Sequence, residues 1–296
     1  MQSSSQSIKR TKPLLGAFVT ARVDGLAQER AHQAIDAAFA MVAATHEAMS
    51  FHEAESDVSR LNRGAHIAPV RVRRETYEVI ARAQLLSATA EDAFDITVAP
   101  ALVARGLLPR PKDAPKPDDD ADWRDIELLP DRRIRFRQPL WIDLGGVAKG
   151  YAVDRALEAL LQFEPAQACV NAGGDLRVAG PAVERVRLNG GNCENGVPTM
   201  ELANGALASS AGAAAGAHVD PADPGAVTPN RFVSVVAPQC VEADALTKVV
   251  MTRGLASAPC LAAFGAYAIM HDATLGWLEL GERPWANPTV NQMEPA

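Results

Sequence analysis

The stretch Ile142-Asp143-Leu144-Gly145-Gly146-Val147-Ala148-Lys149-Gly150-Tyr151-Ala152-Val153-Asp154 constrains the chain more than any other. An apolar run, Pro139-Leu140-Trp141-Ile142, precedes it and predicts a buried strand. After it, Tyr151 to Leu161 carries apolar residues at helical spacing and predicts a helix. The stretch thus reads as a strand, a glycine turn and a helix start, with one carboxylate before the turn and one lysine just after it. Paired glycines let a backbone come close to a ligand. Free N–H groups at a helix start favour anions, and Lys149 adds a full positive charge there. This chemistry points to a phosphate-bearing ligand. The spacing matches neither the dinucleotide fingerprint nor the P-loop, and a tight turn with a solvated lysine is the plain alternative.

At 296 residues the chain can bury a large core, as one domain or two lobes. A formal net charge of −7 and the absence of a lysine/arginine block argue against nucleic acid or an anionic membrane as the main partner. Cys169, Cys193, Cys240 and Cys260 are scattered, without the paired spacing of a zinc site or a disulfide framework. The six histidines make no HExxH-like cluster. No run reaches the length of a membrane helix, and Met1 to Lys12 lacks the apolar segment of an export signal. The sequence as written therefore predicts a cytoplasmic protein; the alternative is a periplasmic one whose signal peptide is missing from the sequence as given.

Along the chain, residues 1–12 read as a loose tail, Leu14 to Val23 as a strand and Leu26 to Met49 as a long amphipathic helix. Ser56 to Asn62 reads as a short helix capped by Ser56, and Arg74 to Ala90 as another helix. Phe94 to Pro100 opens a helix that ends near Gly106, and the proline- and aspartate-rich stretch from Leu108 to Asp120 is a loop. Ile126 to Ile142 reads as three strands. Ala168 to Asn171 and Asp175 to Val178 form a strand pair around Gly173-Gly174, and Glu184 to Ser209 holds antiparallel strands with a turn at Gly190 to Gly196. A loop spans Ala211 to Thr228. A strand follows at Phe232 to Ala237, helices at Ala243 to Arg253 and Ala256 to Phe264, and strands at Tyr267 to His271 and Trp277 to Leu280. Strands in runs with helices between them indicate an α+β protein rather than a doubly wound α/β one. One domain is expected over 13–283, with a tail over 284–296.

Six separated stretches then agree in order. Asp143 to Asp154 resembles the DLGGxAKGYAxD signature of the FAD:protein FMN transferases, the ApbE family. Ser56 to Asn62 resembles its SxxSRLN element, Phe94 to Gly106 its FDxTVxPLVxxxG, Asn171 to Asp175 its NxGGD, and Ala243 to Leu246 its ADAL. Leu14-Leu15-Gly16-Ala17 stands where the family usually has MGT. The resemblance covers about residues 13–275. It implies a bilobed α+β flavin-binding fold with mixed or antiparallel sheets flanked by helices, and FAD bound across a cleft. The typical enzyme binds FAD with a divalent metal, usually magnesium, moves FMN to a threonine or serine of an acceptor protein, and releases AMP. Some relatives hydrolyse FAD instead. Such chemistry asks a protein mostly for positioning and for neutralising charge on the diphosphate.

By the same resemblance, Leu15, Phe94, Asp95, Ile96, Asp143 and Lys149 fall at FAD-binding positions. Gly146 falls where the family offers a backbone carbonyl to the metal, and Asp244 at its metal carboxylate. Core packing is the plain alternative for Leu15 and Phe94, and turn capping for Asp143. The family's metal-binding threonine four residues after the carboxylate is here Lys248, with Thr247 one position earlier. Three readings follow: Lys248 takes the metal's place beside Asp244, Thr247 ligates after a small helix rotation, or Asp244 and Lys248 form a plain surface pair. The MGT threonine is also replaced by Ala17, and the family's HxxDPxTG appears as His218 to Gly225 with one residue fewer between His and Asp. His218 is the candidate base for the acceptor hydroxyl proton. The leading expectation is an FAD:protein FMN transferase with Lys149 and His218 in catalysis. The alternative is a non-catalytic or altered FAD-binding protein with Lys248 in the metal site. A flavin oxidoreductase is disfavoured by the missing nicotinamide-cofactor glycine fingerprint.

Overall fold

The computed structural model describes residues 7–188, 197–212, 218–227 and 230–283, and the backbone of 291–294. In chain order its strands and helices begin with β1 (Ser7–Leu14), β2 (Ala17–Asp24), α1 (Gln28–Met49), α2 (Asp57–Gly64), β3 (Val70–Arg71), α3 (Arg74–Thr89) and α4 (Ala99–Ala104). Next come β4 (Ile126–Leu129), β5 (Arg133–Phe136), α5 (Ala148–Leu161), β6 (Gln167–Ala172), β7 (Asp175–Ala179), β8 (Glu184–Arg187), β9 (Val197–Leu202) and β10 (Gly205–Ala211). The chain closes with β11 (Arg231–Ala237), α6 (Cys240–Arg253), α7 (Ala258–Ala263), β12 (Tyr267–Asp272), β13 (Gly276–Leu280) and β14 (Asn291–Glu294). This is the α+β composition the sequence predicts. Every pairing among the described strands is antiparallel. The chain divides into two compact units, one of residues 1–43, 149–211 and 230–296, the other of 44–148 and 212–229.

The first unit is built on an eight-stranded sheet in the order β1-β2-β6-β7-β10-β11-β12-β13. Side chains alternate across a strand, so each strand serves two faces. On one face, Leu176, Val178, Leu207, Phe232, Val236 and Ile269 pack against Val186, Met200 and Leu202 of a small sheet ordered β14-β9-β8. On the other face α6 lies over β10, β11 and β7. Strand β7 shows the division: Leu176 and Val178 enter the inter-sheet core, while Asp175 and Arg177 pair with Lys149 and Asp154 of α5.

Three expectations are corrected here. Residues 7–12 are not tail: they belong to β1, which pairs with β2 along its whole length. The turn between them is Leu15-Gly16, both with positive φ (55° and 68°). This is the two-residue hairpin geometry that follows strand twist, and it places a leucine where such residues are disfavoured by about 1–2 kcal/mol. At the other end Asn291–Glu294 pairs with β9, so part of the expected C-terminal tail is a strand; residues 284–290 and the turn expected at Gly190 to Gly196 lie outside the described residues, as does part of the loop expected over Ala211 to Thr228.

Pro139 to Ile142, in the second unit, is not the strand its apolar run predicts. Trp141 and Ile142 are buried as predicted, yet they join no sheet. Their backbone partners are a side chain and a loop. Asn62 Oδ1 accepts from the Ile142 N–H at 2.8 Å, Asn62 Nδ2 donates to the Ile142 carbonyl at 3.0 Å, and the Asp143 N–H donates to the Ile96 carbonyl at 2.8 Å. A buried backbone must find partners, and here one carboxamide supplies both halves of a ladder rung. Asn62 itself is set by α2, whose Ser56 cap accepts from the Ser59 N–H at 3.0 Å. Next to it Asp57, nearly fully buried, accepts from the Arg73 N–H and the Thr76 hydroxyl, both at 2.8 Å.

Candidate functional site

In the first unit α5, β7 and α6 converge on a set of paired charges. Gly150 permits the approach: a Cβ there would lie 2.7 Å from the Cys240 carbonyl carbon and 2.8 Å from the Asp244 Cβ. Asp154, one turn further along α5, accepts from the Cys240 and Val241 N–H groups at 2.8 and 2.9 Å and pairs with Arg177 at 2.9 Å. It thus caps α6 from a neighbouring helix, where a negative charge also meets the helix dipole. Burial pushes the Asp154 carboxyl up, and Arg177 with the two N–H groups offsets part of this.

Asp244 follows on α6, buried like Asp154. Its Oδ2 accepts from the Gly150 N–H at 3.0 Å. Its Oδ1 pairs with the Lys248 ammonium, which also donates to the Asp244 carbonyl at 3.0 Å. The Thr247 hydroxyl donates to that same carbonyl at 2.6 Å and shares a hydrogen bond with the Ser210 hydroxyl at 2.7 Å. Lys149 pairs with Asp175 at 3.1 Å; its side chain is 32% exposed and that of Asp175 only 1%. Burial pulls the Lys149 ammonium down, but Asp175 and Asp244 outweigh it and the net shift is upward, so Lys149 stays charged. Burial, then the charge of Asp244, pushes the Asp175 carboxyl up to about 7 despite Lys149 and Lys248.

Asp244 and Thr247, the pair that one of the three sequence readings offers as ligands, lie on the same helix, but as arranged they do not fit magnesium. A hard dication wants several oxygen ligands, and both carboxylate oxygens of Asp244 already hold donors. The Thr247 hydroxyl is committed to Asp244 and Ser210. An ammonium rests on the carboxylate that would be the anionic ligand. Among the described residues no group of three or more His, Cys, Asp or Glu is placed to hold a metal. Gly146 lies half-buried in the turn before α5 and brings no charge.

In the second unit Asp143 Oδ2 accepts from the Gly145 N–H at 3.1 Å, so it does cap the glycine turn. Burial pushes its carboxyl up, with Gly145 and His52 opposing. Phe94 and Ile96 are buried at 4% and 2% exposure and serve the core. Between them Asp95 is only half-buried, and its Oδ1 accepts from the Thr97 N–H at 2.7 Å. Burial nevertheless pushes this carboxyl up to about 6. Between the ordinary carboxylate value and about 6 the folded state therefore holds a proton that the unfolded chain has lost, and stability falls as pH rises through that window. Asp95→Asn is expected to remove this slope. Its melting temperature relative to the parent should climb from about pH 4 to about pH 6 and then level off. Parallel melting curves across that range would contradict the assignment.

Sequence reasoning missed Arg105, at the end of α4. Its guanidinium donates to the carbonyls of His218 and Pro224, both at 2.8 Å, and of Ala226 at 3.1 Å. One planar fork thus ties down the segment that carries His218. No spacing rule pairs positions more than a hundred residues apart. Arg105→Met is expected to speed amide exchange over 218–227 at least tenfold while leaving α3 and α5 protected. Unchanged exchange there would mean that other contacts hold the segment. Asn62, Asp175 and Ser210 were likewise missed as individual positions, although Asn62 and Asp175 close two of the recognised motifs.

These motifs now have defined structural work, and comparison with known proteins agrees with them. The ApbE family model matches residues 15–270. The chain belongs to the ApbE family. The FAD:protein FMN transferase of Haemophilus influenzae is 29% identical over 169 residues, which are 53% of this chain and 48% of that protein. The protein of the same name from Klebsiella pneumoniae is 27% identical over 150 residues, 48% of each chain. The chain thus spans about half the length of the curated ApbE relatives it matches. Among solved structures, ApbE of Thermotoga maritima superposes with a TM-score of 0.80 at 22% identity, over 93% of this chain and 97% of that one. The Pseudomonas stutzeri flavinyl transferase ApbE gives 0.78 at 20% identity, over 96% and 97%. The ApbE fold is thereby established.

Proposed function

We propose that this chain is an FAD:protein FMN transferase, acting on a threonine or serine hydroxyl of an acceptor protein. The observation that carries the reading is the paired-charge cluster of Lys149, Asp175, Asp244 and Lys248, whose first three members fall in three motifs of a family whose matched relatives bear that name. The acceptor oxygen attacks the phosphorus of the FMN half of FAD. A bond from oxygen to that phosphorus forms, the bond from the phosphorus to the bridging oxygen breaks, and AMP leaves with the bridging oxygen and the adenosine-side phosphate. The hydroxyl proton goes to a base, for which His218 is the candidate, its loop held by Arg105. Lys149, kept charged by Asp175 and Asp244, steadies the diphosphate. By the family resemblance Asp143 and Asp95 are the candidate polar contacts to the flavin nucleotide, and Phe94 and Ile96 anchor Asp95 from the core on either side of it. Charge stabilisation of this kind supplies much of the rate in phosphoryl transfer.

Both hypotheses predict FAD binding, but only transfer leaves flavin on the acceptor. The test incubates the protein with FAD and a peptide bearing a threonine acceptor, and reads in-gel flavin fluorescence and free AMP. Flavin on the peptide together with AMP supports the transferase. Bound FAD recovered intact favours the non-catalytic alternative. No described helix is long and apolar enough to cross a membrane.

A further inference from the structure

We propose that Lys248 serves as a built-in cation, so that this enzyme neutralises the FAD diphosphate without a divalent metal. The inference rests on the transferase reading and deepens it. Its basis is the occupancy of Asp244. This carboxylate is buried at 1% exposure and has a donor on each oxygen: the Gly150 N–H on Oδ2 and the Lys248 ammonium on Oδ1. The lysine side chain is itself 26% exposed against 1% for Asp244, so solvent reaches the pair from the lysine side. An ammonium has three donors, and the two hydrogen bonds to Asp244 leave one to offer to a phosphate oxygen.

The charge balance points the same way. Asp175 and Asp244 are two carboxyl groups, Lys149 and Lys248 two ammonium groups, and they act on one another across the cluster. The set is neutral when Asp175 is ionised and carries one positive charge when it is protonated. A dication added beside Asp244 would meet Lys248 at close range and would have to displace it from its carboxylate. With a threonine at 248 the cluster would lose one positive charge. It would then expose an unpaired carboxylate oxygen with a hydroxyl one helical turn away, which are groups a magnesium ion takes. A single side chain therefore separates a cation carried in the fold from one borrowed from solution. Thr247 does not restore the metal site, because its hydroxyl faces the Asp244 carbonyl and Ser210.

The test has a binding arm and a turnover arm. Manganese binding in the presence of FAD is followed by electron paramagnetic resonance, and AMP release is followed with excess chelator or added magnesium. For the parent protein the expected results are no stoichiometric manganese site and a rate that chelator changes less than twofold. Lys248→Thr is expected to gain one manganese site, to lose at least tenfold in rate under chelator, and to recover with magnesium. Lys248→Met is expected to lose rate under both conditions. A parent protein that binds one manganese with FAD and stops in chelator overturns the proposal, and needs no variant to fold. If neither protein releases AMP, the transferase reading fails, and the binding arm still decides the role of Lys248. A manganese site in the parent would then refute that role. A site found only in Lys248→Thr would uphold it.

Discussion

Gly150→Ala is expected to lower stability by about 3 kcal/mol, at the upper end of what overpacking does in a core. An alanine in the first turn of α5 would otherwise help, though by less than the about 1 kcal/mol that separates glycine from alanine in a helix interior. The contacts decide the sign. The new methyl would meet the Cys240 backbone and the Asp244 Cβ, at 2.7 Å from the carbonyl carbon and 2.8 Å from the Cβ. Neither is the loose end of a flexible side chain. The first turn of α6 has no room to retreat, because Asp154 holds the Cys240 and Val241 N–H groups. Moving α6 outward would also stretch the hydrogen bond from Gly150 to Asp244 and tilt the Asp244–Lys248 pair. Urea unfolding of the parent and the variant measures the difference. A loss below about 1 kcal/mol would mean that the helices yield more easily than their capping contacts imply.

Lys149→Met is expected to reduce transfer by about 10²–10³-fold, the usual effect of removing one preorganised group from a developing charge. The fold is expected to survive near neutral pH. Losing Lys149 strands the buried Asp175, but burial already pushes that carboxyl up to about 7, and without its nearest cation it takes up a proton. A protonated carboxyl is far cheaper to bury than a bare anion. The sign of the pH effect follows. The variant's stability relative to the parent should fall as pH rises above neutrality, where keeping Asp175 protonated or ionising it becomes progressively costly. Thermal melts at stepped pH check this beside the AMP assay. Transfer within threefold of the parent would remove Lys149 from the phosphate-binding role. A loss of transfer accompanied by unfolding at neutral pH would leave that role undemonstrated and contradict the protonation argument.

Periodicity placed most helices and strands within a few residues, because long amphipathic segments such as α1 and α3 carry many repeats of one signal. It failed where the partner of a segment is not another element of the same kind. Pro139 to Ile142 has the burial of a strand, but its rung is made by the carboxamide of Asn62, eighty residues away. Ser7 to Lys12 is polar in sequence and still a strand, because an edge strand needs only one paired side and can leave its polar groups in water. The site was legible to a similar degree. The motifs named Lys149, Asp143 and Asp244, and the spacing from Asp244 to Lys248 was enough to predict their contact on one helix face. That Asp154 caps α6, that Asp175 is the partner of Lys149, and that Arg105 fastens the His218 segment are long-range facts with no local signature.

The central claim is that the chain moves FMN from FAD to a hydroxyl. Mass spectrometry of a threonine acceptor peptide, with AMP quantified in the same sample, tests it most directly. The expected result is a peptide gaining one FMN group through its threonine, one AMP released per peptide modified, and no gain when that threonine is replaced by valine. FAD recovered intact with the peptide unchanged, under both metal-free and magnesium-containing conditions, would contradict it.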